Sequence, residues 1–396
     1  MHAASPASPL LAPSIFEQLR VKSSRALAEG KRVFDLSLNC PPGSPPAHVL
    51  KEMVESLEPK PGSGARLCEV EGLKELREGV SQWYERRFTV HLDPRSEILV
   101  RGSESDSLQL LLRTLLQPGD VVLLPALAPP AWASAARIAR AELQLVPLPE
   151  ENAWLPRWES LDREVLRAAK LLLVGYPHDP TGAVCELSHL RETLALCKDH
   201  DITLVSFIRW SEFALRENHL PSSIFELPGA RESALEVSTL ACSHRLQDWG
   251  PAILAGSSPR ITELSRLASH LGSTPAFVLQ KALAAAYLGD DAFLAEQRES
   301  LRRRQSRLCS GLSRLGWDLV PAASTIFVWA RIPAPWGEND VEFQEELFER
   351  SGVLTVPGSA FGPQGKGFVR LSVCLDEAGI DACLSHLEES RALAKS

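Results

Sequence analysis

No two of the eight cysteines in this 396-residue chain have the C-x-x-C spacing of a metal or redox motif. Their scatter through apolar stretches predicts buried free thiols in a reducing compartment. Basic charge is not in excess either: 42 Lys and Arg against 50 Asp and Glu leave a net charge of -8, which points away from a nucleic-acid partner. No apolar run reaches the length of a membrane span, and the run "LQLLLRTLL" is cut by Arg113. The start, "MHAASPASPLLAPSIFEQL", lacks a basic n-region and is broken by proline, so it reads as a mobile arm and not as a secretory signal. Repeats are missing, and so is low complexity beyond that Pro/Ser-rich start. What these absences leave is a soluble, cytoplasmic protein whose 44% apolar content supports an extensive core.

What is present alternates. "GLKELREGVSQWYERRF" carries Leu73, Leu76, Val80, Trp83 and Tyr84 on one helical face. Around it and after it come short, wholly apolar strands such as "EILV", "VVLLPA", "KLLLVGYP" and "ITLVSF", separated by helical patterns. Strands apolar on both faces predict a mostly parallel sheet covered by helices, an α/β fold. Past Pro251 the pattern turns to long helices and then to a smaller α+β unit. The expected division is an N-terminal arm with part of the small domain (1–47), a large domain (48–285) and a small C-terminal domain (286–396).

Seven motifs, in order, carry a resemblance: "LSLNCPPGSPP", "EGLKELREGVSQWY", "LLQPGDVVLLPALAPPAW", "GYPHDPTGAV", "ITLVSF", "PGSAFG" and "GFVRLSV". Each alone marks little more than a turn. Together they resemble the class I/II aminotransferases, the fold type I pyridoxal-phosphate enzymes, over nearly the whole chain. The resemblance implies that fold, a homodimer and a small-molecule carboxylate ligand. It identifies Arg370 with the arginine that pairs with a substrate carboxylate, a role suited to a planar guanidinium fork.

The same resemblance marks departures. The family's Schiff-base lysine follows a Ser-x-Ser run; matched to "ACSH", it falls on His244, and no lysine occurs between Lys198 and Lys281. The aspartate that pairs with the ring nitrogen falls on Phe207, the tyrosine beyond it on Trp210, and the asparagine of Asn-Pro-Thr-Gly on Asp179. The phosphate cradle falls on Ser103, Glu104, Ala241 and Ala252, the stacking aromatic on Pro129, a partner-subunit tyrosine on Leu67, and a carboxylate-binding glycine on Asn39.

From this reading pyridoxal phosphate is not expected, and no cofactor or metal takes its place. His244 and Asp179, set across one small cavity, are expected to act as an acid/base pair. Arg370, Asn39 and Trp210 are expected to bind the substrate. The leading expectation is an aminotransferase-like protein repurposed for cofactor-independent acid/base catalysis on a carboxylate-bearing metabolite. Two alternatives stay open: a non-catalytic pseudoenzyme acting as sensor or regulatory partner, and an unusual pyridoxal-phosphate enzyme with His in place of Lys. Arg209 is expected to point out of the pocket by strand alternation, His178 to be solvated, and Glu104 to pair with Arg101 on the surface.

Overall fold

The computed structural model describes residues 13–58, 68–215, 221–246, 249–272 and 274–390. Leu67 and the first twelve residues of the arm therefore lie outside the described residues. After a two-residue strand, β1 (Phe34–Asp35), the chain builds its main sheet from seven strands: β2 (Ile98–Arg101), β3 (Val121–Pro125), β4 (Glu142–Val146), β5 (Ala169–Gly175), β6 (Thr203–Phe207), β7 (Ala234–Ser238) and β8 (Ala252–Ala255). Their order is β2-β8-β7-β6-β5-β3-β4. Only β8 runs against its neighbours. In "AKLLLVG" of β5, residues Leu171 to Val174 are all buried, the mark of a strand covered on both faces. The α/β expectation is met.

Helices close both faces. The helix Lys74–Phe88 buries Leu76, Val80, Trp83, Tyr84 and Phe88 on one side, as the spacing predicts, with Leu73 as its N-cap. Its Trp83 meets Tyr287 of the helix Phe277–Leu288 edge-on, ring centroids 5.5 Å apart. Each such buried side chain contributes roughly 1.5–3 kcal/mol of burial free energy. Farther on, a 23-residue helix, Ala292–Arg314, sets Arg302, Arg303 and Arg307 against Glu299, Glu377 and Asp381 in exposed ion pairs.

A second, antiparallel sheet follows in the order β12-β13-β10-β9, from β9 (Asp318–Pro321), β10 (Phe327–Arg331), β12 (Val356–Pro357) and β13 (Phe368–Ser372). A short strand, β11 (Val353–Leu354), pairs in parallel with β1 and ties the early chain to this late sheet. Arg370 sits in β13 with Trp329 of β10 on one side and Val356 of β12 on the other. In the main sheet β2, β3, β5 and β6 all end at one edge, and β4 and β5 flank β3 on opposite sides. Divergence of the chain at strand ends is where open α/β sheets form a ligand crevice. Among the described residues no helix is long and apolar enough to cross a membrane.

Candidate functional site

A cavity of about 500 Å³ opens at that edge, walled by Asn39, Glu104, Trp132, Asp179, Arg209 and Trp210 among others. Local sequence explains each placement. Ser103 caps the helix Glu104–Leu115 by accepting from the Asp106 amide, which puts Glu104 in its first turn at the cavity. Pro130 opens the helix Pro130–Ile138, where it costs no hydrogen bond, and Trp132 lies in the same first turn. The Asp179-Pro180-Thr181-Gly182 turn needs its glycine: Gly182 has φ +71°, and a Cβ there would lie 2.2 Å from Ala322 Cβ. Asp179 is thereby held at the cavity wall.

Arg209 is the cation that faces this space. Its Nη1 lies 3.5 Å from Glu104 Oε2, and its Nη2 donates to Cys242 Sγ at 3.0 Å. Its Nε is buried with no hydrogen-bond partner among the described residues. The expectation that Arg209 points away is corrected. Strand β6 ends at Phe207, and residues 208–210 turn, so the alternation of strand side chains no longer applies there. Burial raises the pKa of Glu104, against the lowering effect of Arg209. Its expected partner Arg101 is instead fully buried and bonded to Asp106, Nε to Oδ2 at 3.0 Å.

Arg370 is brought to Asp179 and Asn39, but it is not on the cavity wall. Its Nη1 donates to Asp179 Oδ1 at 2.8 Å and its Nη2 to Asn39 Oδ1 at 2.5 Å. The guanidinium is fully buried, and burial lowers its pKa while Asp179 opposes the shift. Phe207, Trp132 and Trp210 fill the inner end. The Trp132 and Phe207 rings pack 4.5 Å apart, and beyond them only about 60 Å³ remains open.

His244 is not brought to Asp179. Strand β7 stops at Ser238, and His244 sits in the following turn, its ring stacked 6.2 Å from Phe293 and its Nδ1 3.1 Å from Ser243 Oγ. It is absent from the cavity wall. Burial, and then His48, lower its pKa to about 4, so it is neutral at pH 7. His178, expected to be solvated, is buried. Its Nε2 donates to the Leu127 carbonyl at 3.1 Å and its Nδ1 accepts from Thr181 Oγ1 at 2.8 Å. Its pKa falls to about 4, driven by burial and opposed by Asp179.

Two side chains escaped sequence reasoning. Cys242, and not His244, reaches the Arg209 guanidinium. Cys242 lies two residues before His244 in the same "ACSH" stretch, so attention to the neighbours of His244 was the available signal. Cys242 is disulfide-bonded to Cys40, Cα atoms 5.0 Å apart, which corrects the expectation that all cysteines are free thiols. The two lie 202 residues apart in sequence, so no local spacing announces them. Among the described residues no group of three or more His, Cys, Asp or Glu side chains is placed to hold a metal.

Residues 31–387 match the model of aminotransferase class I and II. The chain is 30% identical to an LL-diaminopimelate aminotransferase of Dehalococcoides mccartyi, covering 97% of this chain and 98% of that one. It is 29% identical to an LL-diaminopimelate aminotransferase 2 of Trichormus variabilis, covering 96% of each. Substrate-bound BacF from Bacillus subtilis superposes with a TM-score of 0.93 at 26% identity over 98% of both chains. A probable N-succinyldiaminopimelate aminotransferase from Thermus thermophilus gives 0.87 at 30% identity, over 95% of this chain and 100% of that one. These relatives overturn three expectations: cofactor-independent catalysis, a pseudoenzyme, and the absence of a coenzyme. Full-length similarity to named aminotransferases makes pyridoxal phosphate the coenzyme to expect.

Proposed function

The chain belongs to the aminotransferase class I and II family, and from that premise we propose that it binds pyridoxal phosphate and an amino-acid substrate in the cavity at the ends of β2, β3, β5 and β6. Arg209 is the observation that carries this reading. Its guanidinium is the cation on the cavity wall among the described residues, and an anionic ligand group would pair with it there. The residues present fit the coenzyme as a reversibly held ligand. Arg209 would meet an anionic group of the coenzyme, and Trp132 would supply an apolar wall for its ring. Among the described residues the cavity wall offers no lysine for a covalent tether, and Lys281 is engaged with Glu52 and Glu75.

When bound, the coenzyme supplies an electron sink for amino-group chemistry. The chain's own groups bind and orient. Trp132, Trp210 and Phe16 narrow the cavity and exclude water, which strengthens the electrostatics inside it. Glu104, whose pKa burial raises against the lowering effect of Arg209, stands at the wall 3.5 Å from that guanidinium. Glu104 and Asp179 face the same space as Arg209, so the cavity suits a ligand with both ammonium and carboxylate groups. The relatives' names support an amino acid of the diaminopimelate class. A homodimer, as the family usually forms, is part of the proposal.

The test is amino transfer from LL-diaminopimelate to 2-oxoglutarate with pyridoxal phosphate added in excess. Glutamate formed in proportion to enzyme supports the reading. No transfer above the coenzyme-alone background, with this donor or other diamino acids, contradicts it.

A further inference from the structure

We infer that Asp179 is an internal cap on Arg370, and that this cap makes its end of the cavity select an ammonium group in place of a carboxylate. The inference rests on the cavity being the ligand site. Arg370 is fully buried, with both terminal nitrogens engaged and its Nε without a hydrogen-bond partner among the described residues. Asp179 takes Nη1 at 2.8 Å, and Asn39 and the Ser37 carbonyl take Nη2 at 2.5 and 3.4 Å. The rings of Phe327, Phe361 and Phe16 stand 3.9, 4.9 and 5.3 Å from the guanidinium carbon. Asp179 and Asn39 line the cavity; Arg370 does not.

A ligand carboxylate that reaches this wall meets an aspartate before it meets a guanidinium, and like charges repel. To use Arg370 it must displace a carboxylate already paired in a buried site, where breaking a pair is costly. An ammonium meets the reverse situation, because Asp179 and Glu104 both present carboxylates to the same space. Arg209, the cation on the wall among the described residues, is engaged by the coenzyme's anionic group in the proposed reading, so it does not offset the two carboxylates at this end. The ligand class is a small molecule with a primary ammonium directed at Asp179.

Isothermal titration of coenzyme-free protein tests this with two probes, glutarate and 1,5-diaminopentane, on the native chain and on Asp179→Ala, which removes the capping side chain. Uncapped Arg370 should bind glutarate at least tenfold more tightly in the variant, and diaminopentane should bind at least tenfold more weakly. Unchanged affinity for both probes, or weaker glutarate binding in the variant, overturns the inference. Because the substitution leaves Arg370 without its ion pair, thermal melting is read as well. Glutarate should raise the melting temperature of Asp179→Ala more than that of the native chain, and equal rises overturn the cap. Uptake of pyridoxal phosphate has its own absorbance signal, so failure of the coenzyme reading is distinguishable from failure of this one.

Discussion

Arg209→Gln removes the cation on which the coenzyme proposal depends, and its effect follows from the surroundings of that side chain. The guanidinium has Cys242 Sγ at 3.0 Å and Glu104 at 3.5 Å, with Nε unpartnered among the described residues. A charge-assisted bond from this guanidinium to a ligand anion is worth about 1.5–3 kcal/mol, less what Glu104 takes by competing for it. The variant should therefore bind pyridoxal phosphate about ten- to a hundredfold more weakly, read by quenching of tryptophan fluorescence from Trp132 and Trp210. Glu104 works in the opposite sense. Its carboxylate competes for Arg209 and repels an anion, so Glu104→Gln should strengthen binding by a few fold. The pH dependence has a definite sign. Glu104 has a raised pKa, so protonation as pH falls removes the repulsion, and the native affinity should rise relative to that of Glu104→Gln, which lacks this group. An Arg209→Gln variant that is folded and binds the coenzyme as tightly as the native chain refutes the reasoning.

Three further outcomes test the fold and its chemistry. Glu236 is fully buried, and burial raises its pKa from 4.5 to about 7 despite bonds from Ser223, Ile224 and Tyr84. The unfolded chain loses that proton first as pH rises, so stability should fall by about 3 kcal/mol between pH 4.5 and 7, and Glu236→Gln should flatten that slope in urea melts. Leu172, fully buried in β5 between β3 and β6, should cost about 2–5 kcal/mol when replaced by alanine, measured by the same melts. Alkylation of denatured, unreduced protein should label six cysteines and spare Cys40 and Cys242, with all eight labelled after reduction.

The fold was legible because it depends on redundant patterns. The runs of β3, β5 and β6 are apolar on both faces, and the helix Lys74–Phe88 repeats its apolar residues at one spacing, so a misread residue changes little. The site depends on single side chains at the ends of those elements, where periodicity stops. Arg209 lies two residues past the end of β6, and Cys242 lies in the turn after β7, so strand alternation directs neither side chain. Asn39 was expected with Arg370 in substrate binding and Asp179 opposite His244; that both bury Arg370 requires β13, the early chain and the turn after β5 to be assembled together. Function was harder still. Counting departures from a motif says which contacts are lost, but it does not register what Arg209 puts back.

The most direct measurement is a spectrophotometric titration of purified protein with pyridoxal phosphate, followed by borohydride treatment and mass analysis. Saturable uptake that dialysis reverses, with no coenzyme mass fixed to the chain, is the predicted result. Failure to take up the coenzyme at any concentration contradicts the account, and so does a coenzyme mass fixed to a lysine after reduction.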